Sequence, residues 1–218
     1  EPVSGNVPLA VEFDASGSGG MEEVLKMQKI EANNEFARYV KKNYESWLSG
    51  ESGQAPLLSP GVFKEKIFPL LDRGKVVVVI VDNLRYDQWK IIEQELSGLF
   101  RTDEETLFSS ILPTATQYAR NAMFAGMMPS EIQKHQPGLW VDENQEGGKN
   151  AHEEELCRAQ MKRLGIGASF HYEKISNQRA GKKLVENYQD LLNYDLNVLV
   201  YNFVDMLSHM RSEMEMIR

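Results

Sequence analysis

The most regular hydrophobic pattern in the chain is an uninterrupted run of six valine and isoleucine residues, Val76–Val81. A β-branched run without polar alternation is typical of a strand buried on both faces, as in the middle of a parallel α/β sheet. Such sheets bind ligands beyond the carboxyl ends of their strands. The pattern therefore predicts a central strand, and it places Asp82, the first polar residue after the run, at the ligand-binding edge.

Strands and helices alternate along the rest of the chain. Apolar runs predict strands over residues 105–112 and 197–204 and a short edge strand over residues 168–175. Helical patterns predict the intervening helices, which cover residues 61–71, 84–96, 117–125, 151–164 and 177–192. Residues 134–150 are rich in Gly, Asn, Gln and Pro and predict a long surface loop. This alternation predicts an α/β fold with a doubly wound sheet.

The N-terminal sixty residues have a different pattern. Residues 21–48 predict an amphipathic helix, whose apolar stripe recurs at three- and four-residue steps: Phe36, Val40, Tyr44 and Trp47. Pro8–Asp14 alternates like one short strand and is followed by glycines and serines up to residue 20. We therefore divide the chain into a foreign or linker-like segment (1–20), a helical connector (21–60) and an α/β domain (61–218).

Composition narrows the class of protein. The chain has 218 residues, and 24 Lys and Arg against 32 Asp and Glu give it a formal net charge of −8. This balance argues against a general nucleic-acid-binding surface. No apolar run approaches the roughly 20 residues that span a bilayer. The single cysteine, Cys157, cannot form an internal disulfide, which fits a reducing compartment. We therefore expect a cytoplasmic protein without membrane contact or general DNA binding.

Candidate functional groups follow the predicted strands. Three pairs of polar residues each follow one strand: Asp82 with Asn83, Thr114 with Thr116, and Asp205 with His209. The carboxyl ends of parallel strands share one edge, so these pairs can converge. Aspartate oxygen and histidine nitrogen are ordinary zinc and manganese ligands, and a threonine at a helix start lies where the dipole favours phosphate. A structural interpretation also remains, in which the aspartates and threonines act as helix N-caps.

Three blocks in this order resemble the PglZ domain of the alkaline phosphatase superfamily: Val81-Asp-Asn-Leu-Arg85, Leu112-Pro-Thr-Ala-Thr-Gln-Tyr-Ala-Arg-Asn-Ala-Met-Phe-Ala-Gly126 and Asn202-Phe-Val-Asp-Met-Leu-Ser-His209. The resemblance covers residues 21–218, and within the superfamily the chain is most similar to response regulators of type IX secretion. Residues 1–20 resemble the opening of a polycystic-kidney-disease-type β-sandwich repeat. The expected fold is thus an alkaline-phosphatase-like sheet with flanking helices, preceded by a helical segment.

The resemblance implies two zinc ions that bridge the phosphate, with in-line attack on phosphorus by a threonine or serine. Matched by position, Asp82 and Thr116 would serve one zinc, and Thr116 would be the nucleophile. Asp205 and His209 would be ligands of the other zinc. Thr114 is the other candidate hydroxyl.

Three more residues are candidate phosphate contacts. Asn83 and Arg85 would contact phosphate oxygens, to which the arginine geometry is suited. Gln117 would contribute its backbone N–H beside the nucleophile. For Arg85, a surface ion pair with a nearby carboxylate is an equally open interpretation.

The function implied is metal-dependent phosphoester hydrolysis, with nucleotide-type phosphodiesters as substrates, in a two-component response regulator that controls type IX secretion. The alternative is a non-catalytic regulatory fragment that dimerises or binds a transcription or secretion partner through the helix at residues 21–48. The partners implied are a phosphodiester or nucleotide substrate, a second copy of the chain, and a sigma factor or histidine kinase.

The sequence departs from the superfamily pattern in one respect. The superfamily completes its metal site with a later Asp-His pair and a further histidine, and this chain contains no Asp-His dipeptide. Two protein ligands per zinc fall short of the three or four that a zinc site normally has. We therefore expect an incomplete metal site and only the first half of the fold, the N-terminal part of a PglZ domain.

Overall fold

The computed structural model describes residues 19–51, 53, 55–141 and 150–202. Its helices are α1 (Gly19–Ser49), α2 (Tyr86–Leu96), α3 (Thr116–Ala125), α4 (Pro129–His135), α5 (Glu153–Arg163) and α6 (Gln178–Glu186). Its strands are β1 (Val76–Val81), β2 (Phe170–Ile175) and β3 (Leu196–Tyr201). This mixture of helices and parallel strands confirms the α/β fold class.

The chain divides into two compact units. The first combines the N-terminal part, as far as Pro56, with Leu84–Glu105. The second combines Leu57–Asn83 with the chain from Thr106 onward. Helices α1 and α2 therefore belong to the first unit, whereas the sheet and helices α3 to α6 belong to the second.

The three strands form one parallel sheet in the order β1-β3-β2. Val81 of β1 and Ile175 of β2 both lie opposite Tyr201 of β3, so the three carboxyl ends are level. β3 is buried along its length apart from half-buried Tyr201. The level ends bring Asp82 and Asn202, which follow β1 and β3, to the same edge of the sheet.

The main core of the second unit joins the sheet to helices α3, α4 and α5. Its fully buried side chains include Phe63, Phe124, Leu156 and Val198. The rings of Phe63 and Phe124 lie 5.3 Å apart between centroids. α3 ends at Gly126, whose φ of 59° is left-handed and whose Cα lies close to the Gln160 side chain of α5. These contacts hold α3 and α5 side by side.

The prediction that β1 is a central strand buried on both faces is wrong. Within the described residues β3 is central and β1 lies at one end of the sheet. Val77 and Val79 point to the uncovered face of β1 and are 52% and 54% exposed. A uniform apolar run shows that both faces are apolar but does not show that both are covered.

The predicted strand over residues 105–112 is also wrong. Only one bridge forms there, between Ser109 and Leu58. Leu107, Phe108 and Leu112 are exposed, and only Ile111 is fully buried. The segment contains strand-forming residues, but the described chain offers it a partner at a single position, and a strand requires a continuous ladder.

The strands β2 and β3 and the helices α1, α2, α3 and α5 are confirmed with shifted boundaries. The loop predicted over 134–150 begins instead with the end of α4 and a 3₁₀ helix at Pro137–Leu139, and its residues 142–149 lie outside the described residues. The predicted helix over 61–71 is instead a short π-helix at Phe63–Ile67 and a 3₁₀ helix at Phe68–Arg73. Pro69 lacks the N–H that a continuous α-helix would use at its position. The predicted helix over 177–192 is divided into α6 and a 3₁₀ helix at Tyr188–Asn193. The strand predicted at residues 8–14 lies outside the described residues. In the described part of the chain, no helix is both long and apolar enough to cross a membrane.

Candidate functional site

Asp82 lies directly beyond β1, as the sequence predicted. Its backbone N–H donates to the Tyr201 carbonyl at 3.0 Å, so the ladder with β3 extends to this residue. Its side chain is 17% exposed. The next residue, exposed Asn83, has a φ of 63°, a left-handed conformation that asparagine tolerates better than most residues. The chain therefore turns immediately after presenting Asp82.

The principal partner of Asp82 is Arg120 on α3. Nη1 of Arg120 donates to Oδ2 of Asp82 at 2.6 Å and to Oδ1 of Asn202 at 3.2 Å. The arginine is only 6% exposed. One guanidinium thus holds the residues that follow β1 and β3, and it ties α3 to the carboxyl edge of the sheet.

A fully buried carboxylate, Glu153, completes the arrangement. It is the first residue of α5, and its Oε1 accepts a hydrogen bond from Nε of Arg120. Its Oε2 accepts from the Tyr172 hydroxyl at 2.5 Å and from Nζ of Lys174 at 3.4 Å. Burial and the neighbouring Glu153 charge both raise the pKa of Tyr172, so its hydroxyl remains a donor. We call Asp82, Arg120, Glu153, Tyr172 and Lys174 the buried ionic network.

The two candidate threonines lie at the start of α3. Thr116 is its first residue, and the N-cap position belongs to Ala115, which makes no side-chain cap. Neither Thr114 nor Thr116 is therefore the N-cap. Thr114 is exposed and Thr116 is half-buried. Because residues four apart share a helix face, Thr116 lies one turn from Arg120, the residue that binds Asp82.

A cavity of about 310 Å³ adjoins the start of α3. Its lining combines two aromatic rings with amide and hydroxyl groups: Gln117, Tyr118, Ser130, Gln133 and Trp140. The rings of Tyr118 and Trp140 are 6.0 Å apart between centroids and tilted by 39°. The volume is at the lower end of the range for small-molecule sites.

Arg85 forms a surface ion pair with Asp87, which was the alternative to phosphate binding that the sequence left open. Its Nε and Nη2 bind the two carboxylate oxygens of Asp87 at 2.9 and 2.7 Å. This hydrogen bonding raises the pKa of Arg85 and lowers the pKa of Asp87. Arg85 is also the N-cap of α2, so Asp82 does not occupy that position.

Asp205 and His209 lie outside the described residues. Among the residues that are described, no three histidine, cysteine, aspartate or glutamate side chains are grouped to hold a metal ion. Asp82 and Thr116 are oxygen donors of the kind that divalent metals accept, but two such donors do not complete a zinc site. A cation at Asp82 would also have to share this carboxylate with Arg120.

The sequence reasoning missed Arg120 and Glu153. Arg120 belongs to the second family-like block, residues 112–126, one helical turn after Thr116. Together with Asn121 it interrupts the buried alanines of α3. A charged residue in an otherwise apolar helical stripe was the available signal. Glu153 gave no such signal. It is the first of three consecutive glutamates at the start of a helix, and such residues commonly lie there on the surface because they interact favourably with the helix dipole.

Comparison with known protein families gave two matches. The model described as the BREX system PglZ alkaline phosphatase-like domain matches residues 62–218, well over half of the chain. The model described as the PorX response regulator linker domain matches residues 7–48, a range that includes most of α1. A search of curated proteins found no match. The resemblance inferred from the three sequence blocks is confirmed.

Proposed function

The chain belongs to the PglZ alkaline phosphatase-like domain family, and on this premise we propose that it is the hydrolase domain of a response regulator that cleaves nucleotide-type phosphodiesters. The observation that carries the proposal is the ion pair between Asp82 and Arg120, one helical turn from Thr116. It joins a strand-end carboxylate to the helix that starts with the candidate nucleophile. The match to the PorX linker supports the regulatory context, and we place the proposed role in cytoplasmic control of type IX secretion.

In the proposed reaction the Thr116 hydroxyl gives up its proton and its oxygen bonds to phosphorus while the bond from phosphorus to the departing alcohol oxygen breaks, and that oxygen takes up a proton. Water then cleaves the Thr116 phosphoester, which releases the phosphomonoester and restores the hydroxyl. The N-terminus of α3 offers backbone N–H groups and a favourable dipole to the phosphate, and we assign the Gln117 N–H and Asn83 to phosphate oxygens. Zinc, held by Asp82 and Thr116 and by Asp205 and His209, would supply the charge that activates a hydroxyl and stabilises attacking and leaving oxygens. Arg85 would contribute only if it exchanged Asp87 for phosphate.

The cavity beside α3 supports a substrate with an aromatic group. Gln117 and Tyr118 line it and follow Thr116 directly in the chain, so a phosphate at Thr116 would be close to its opening. Aromatic rings stack on nucleobases, and each stacked base contributes about 1–3 kcal/mol. The amides of Gln117 and Gln133 can hydrogen-bond to a base edge. These features favour a nucleotide over a simple alkyl phosphoester.

The experiment that tests this proposal compares Thr116→Val with the matched control Thr114→Val. We expect Thr116→Val to lower the hydrolysis of bis(p-nitrophenyl) phosphate by more than about 100-fold, because removal of a nucleophile abolishes most catalysis. Thr114→Val should retain turnover. Equal activity of Thr116→Val and the unmodified chain would refute the assigned nucleophile.

Metal content provides the complementary measurement. Elemental analysis of the desalted chain would find about two zinc ions per chain, the number in two-metal sites, only if ligands beyond Asp82 and Thr116 complete the site. Asp82→Ala and Asp205→Ala should each lower this value. A chain that holds no metal and shows no turnover would leave the non-catalytic role as the better account.

A second function is favoured by the surface of α1. This helix has 31 residues, and its exposed apolar side chains include Met21, Val24, Met27, Ile30 and Phe36. We propose that it pairs with a second copy of the chain and that a sigma factor or histidine kinase is a further partner. Sedimentation velocity should show a dimer that Phe36→Ser weakens and the exposed control Asn34→Ser does not. A monomer at high micromolar concentration would contradict the dimer.

A further inference from the structure

We propose that Arg120 is a positioning residue that fixes the Asp82 carboxylate, and that Glu153 is the buried group that fixes Arg120. The inference rests on the proposed function, because it assigns a role to Asp82 in the reaction. It adds Arg120 of α3 and Glu153 of α5 to the residues that support the proposed reaction.

The contacts of Arg120 explain how it can act. In the described part of the chain, its guanidinium donates to Asp82, Asn202 and Glu153. Asp82 follows β1, Asn202 follows β3 and Glu153 is the first residue of α5. Since the Arg120 side chain is only 6% exposed, it has almost no surface for a substrate and must act through the groups that it holds. It binds Oδ2 of Asp82, which leaves Oδ1 as the oxygen outside this contact.

Glu153 explains why Arg120 stays in place. The Glu153 side chain is 0% exposed, and a buried carboxylate without partners is very costly. Donors from two elements, Arg120 on α3 and Tyr172 and Lys174 on β2, satisfy it. If the guanidinium moved away from the sheet edge, Glu153 would lose its most buried donor.

A buried ion pair is weak evidence for a role in stability, because its replacement with apolar groups of similar volume is often neutral or stabilising. Groups that hold a ligand or catalytic carboxylate, in contrast, typically contribute 10- to 100-fold to metal affinity or activity. The buried ionic network lies at the end of β1 and binds the Asp82 carboxylate directly. This location favours a role for Arg120 in positioning that carboxylate.

The test uses Arg120→Lys, which keeps the charge but cannot reproduce the fork that reaches three acceptors. We expect kcat for bis(p-nitrophenyl) phosphate to fall about 10- to 100-fold and the zinc dissociation constant, measured by calorimetry, to rise by a similar factor. Partial unfolding would lower the zinc stoichiometry instead. Arg158→Lys is the matched control, because Arg158 pairs with Glu154 on the exposed side of α5.

A double-mutant cycle then tests whether Arg120 acts through Asp82. In an Asp82→Asn background, Arg120→Lys should have no further effect on kcat or on zinc affinity, since the group being positioned is already altered. If the two effects multiply, or if Arg120→Lys behaves like the unmodified chain, the inference is wrong. If Arg120→Lys does not fold, Glu153→Asp takes its place in the cycle, because it moves the anchor by one methylene and keeps the charge.

The outcome also separates this inference from the proposed function. An unmodified chain that neither binds zinc nor hydrolyses the diester refutes both. If the unmodified chain binds zinc and hydrolyses the diester, but the effects of Asp82→Asn and Arg120→Lys are independent, only the role of Arg120 is refuted.

Discussion

At the scale of single residues, Cys157 is a side chain whose chemistry the fold changes strongly. It is fully buried in α5, and burial raises the pKa of its thiol to about 12. In the unfolded chain a cysteine thiol ionises at a pKa of about 8.5. Between these values the folded chain keeps a proton that the unfolded chain releases, so this contribution to stability is complete below about pH 8.5 and is lost as the pH rises toward 12.

The resulting prediction concerns stability at alkaline pH. The free energy of unfolding should fall more steeply between pH 8 and about pH 10 in the unmodified chain than in Cys157→Ala. Urea titrations at several pH values measure both slopes. Tyr172 also has a raised pKa, but it is present in both proteins and cancels from the difference. Parallel slopes would show that the thiol does not contribute.

Gly126 gives a second prediction at this scale. A Cβ there would lie 2.1 Å from Nε2 of Gln160, and the left-handed φ of 59° is unfavourable for alanine. We expect Gly126→Ala to lower the free energy of unfolding by at least about 1–2 kcal/mol, the typical cost of a left-handed residue. Gly167→Ala is the control, since a Cβ there meets nothing within 4 Å. Equal unfolding midpoints for the two variants would contradict this account.

At the scale of secondary-structure elements, the faces of the strands decide which substitutions are tolerated. The uncovered face of β1 includes Val79, whereas Val198 in the central strand is 0% exposed. We expect Val79→Thr to change stability by less than about 0.5 kcal/mol and Val198→Thr to cost about 1–3 kcal/mol, because it buries a hydroxyl group. Denaturant unfolding of both variants tests this difference. A large cost at Val79 would mean that a further segment covers that face.

The elements also show what the sequence could predict. Helix type and approximate bounds follow from the 3.6-residue periodicity, as in α3 and α5, because periodicity is a local property. The position of a strand in the sheet does not follow from periodicity. β1 and β3 have similar apolar runs, and only the strands that pair with them show that β3 is central and β1 is at the end. The segment at 105–112 failed for the same reason: its residues favour a strand, but pairing depends on distant residues.

At the scale of the whole molecule, the candidate site could be predicted only in part. Asp82 and Thr116 were found because each lies at a recognisable chain position, one after an apolar run and one at a helix start. Arg120 and Glu153 are 33 residues apart in the chain and joined only by folding. Their pairing required the packing of α3 against α5, which no local pattern contains.

The position of Cys157 on α5 has a practical consequence. It is the only cysteine of the chain, and it follows Glu153 by one helical turn. A thiol reagent can reach it only when α5 opens, so the rate of labelling under native conditions measures the opening equilibrium of the helix that anchors Arg120. The unmodified chain thus contains its own chemical reporter for the site, and a substrate analogue that tightens the site should be detectable as slower labelling.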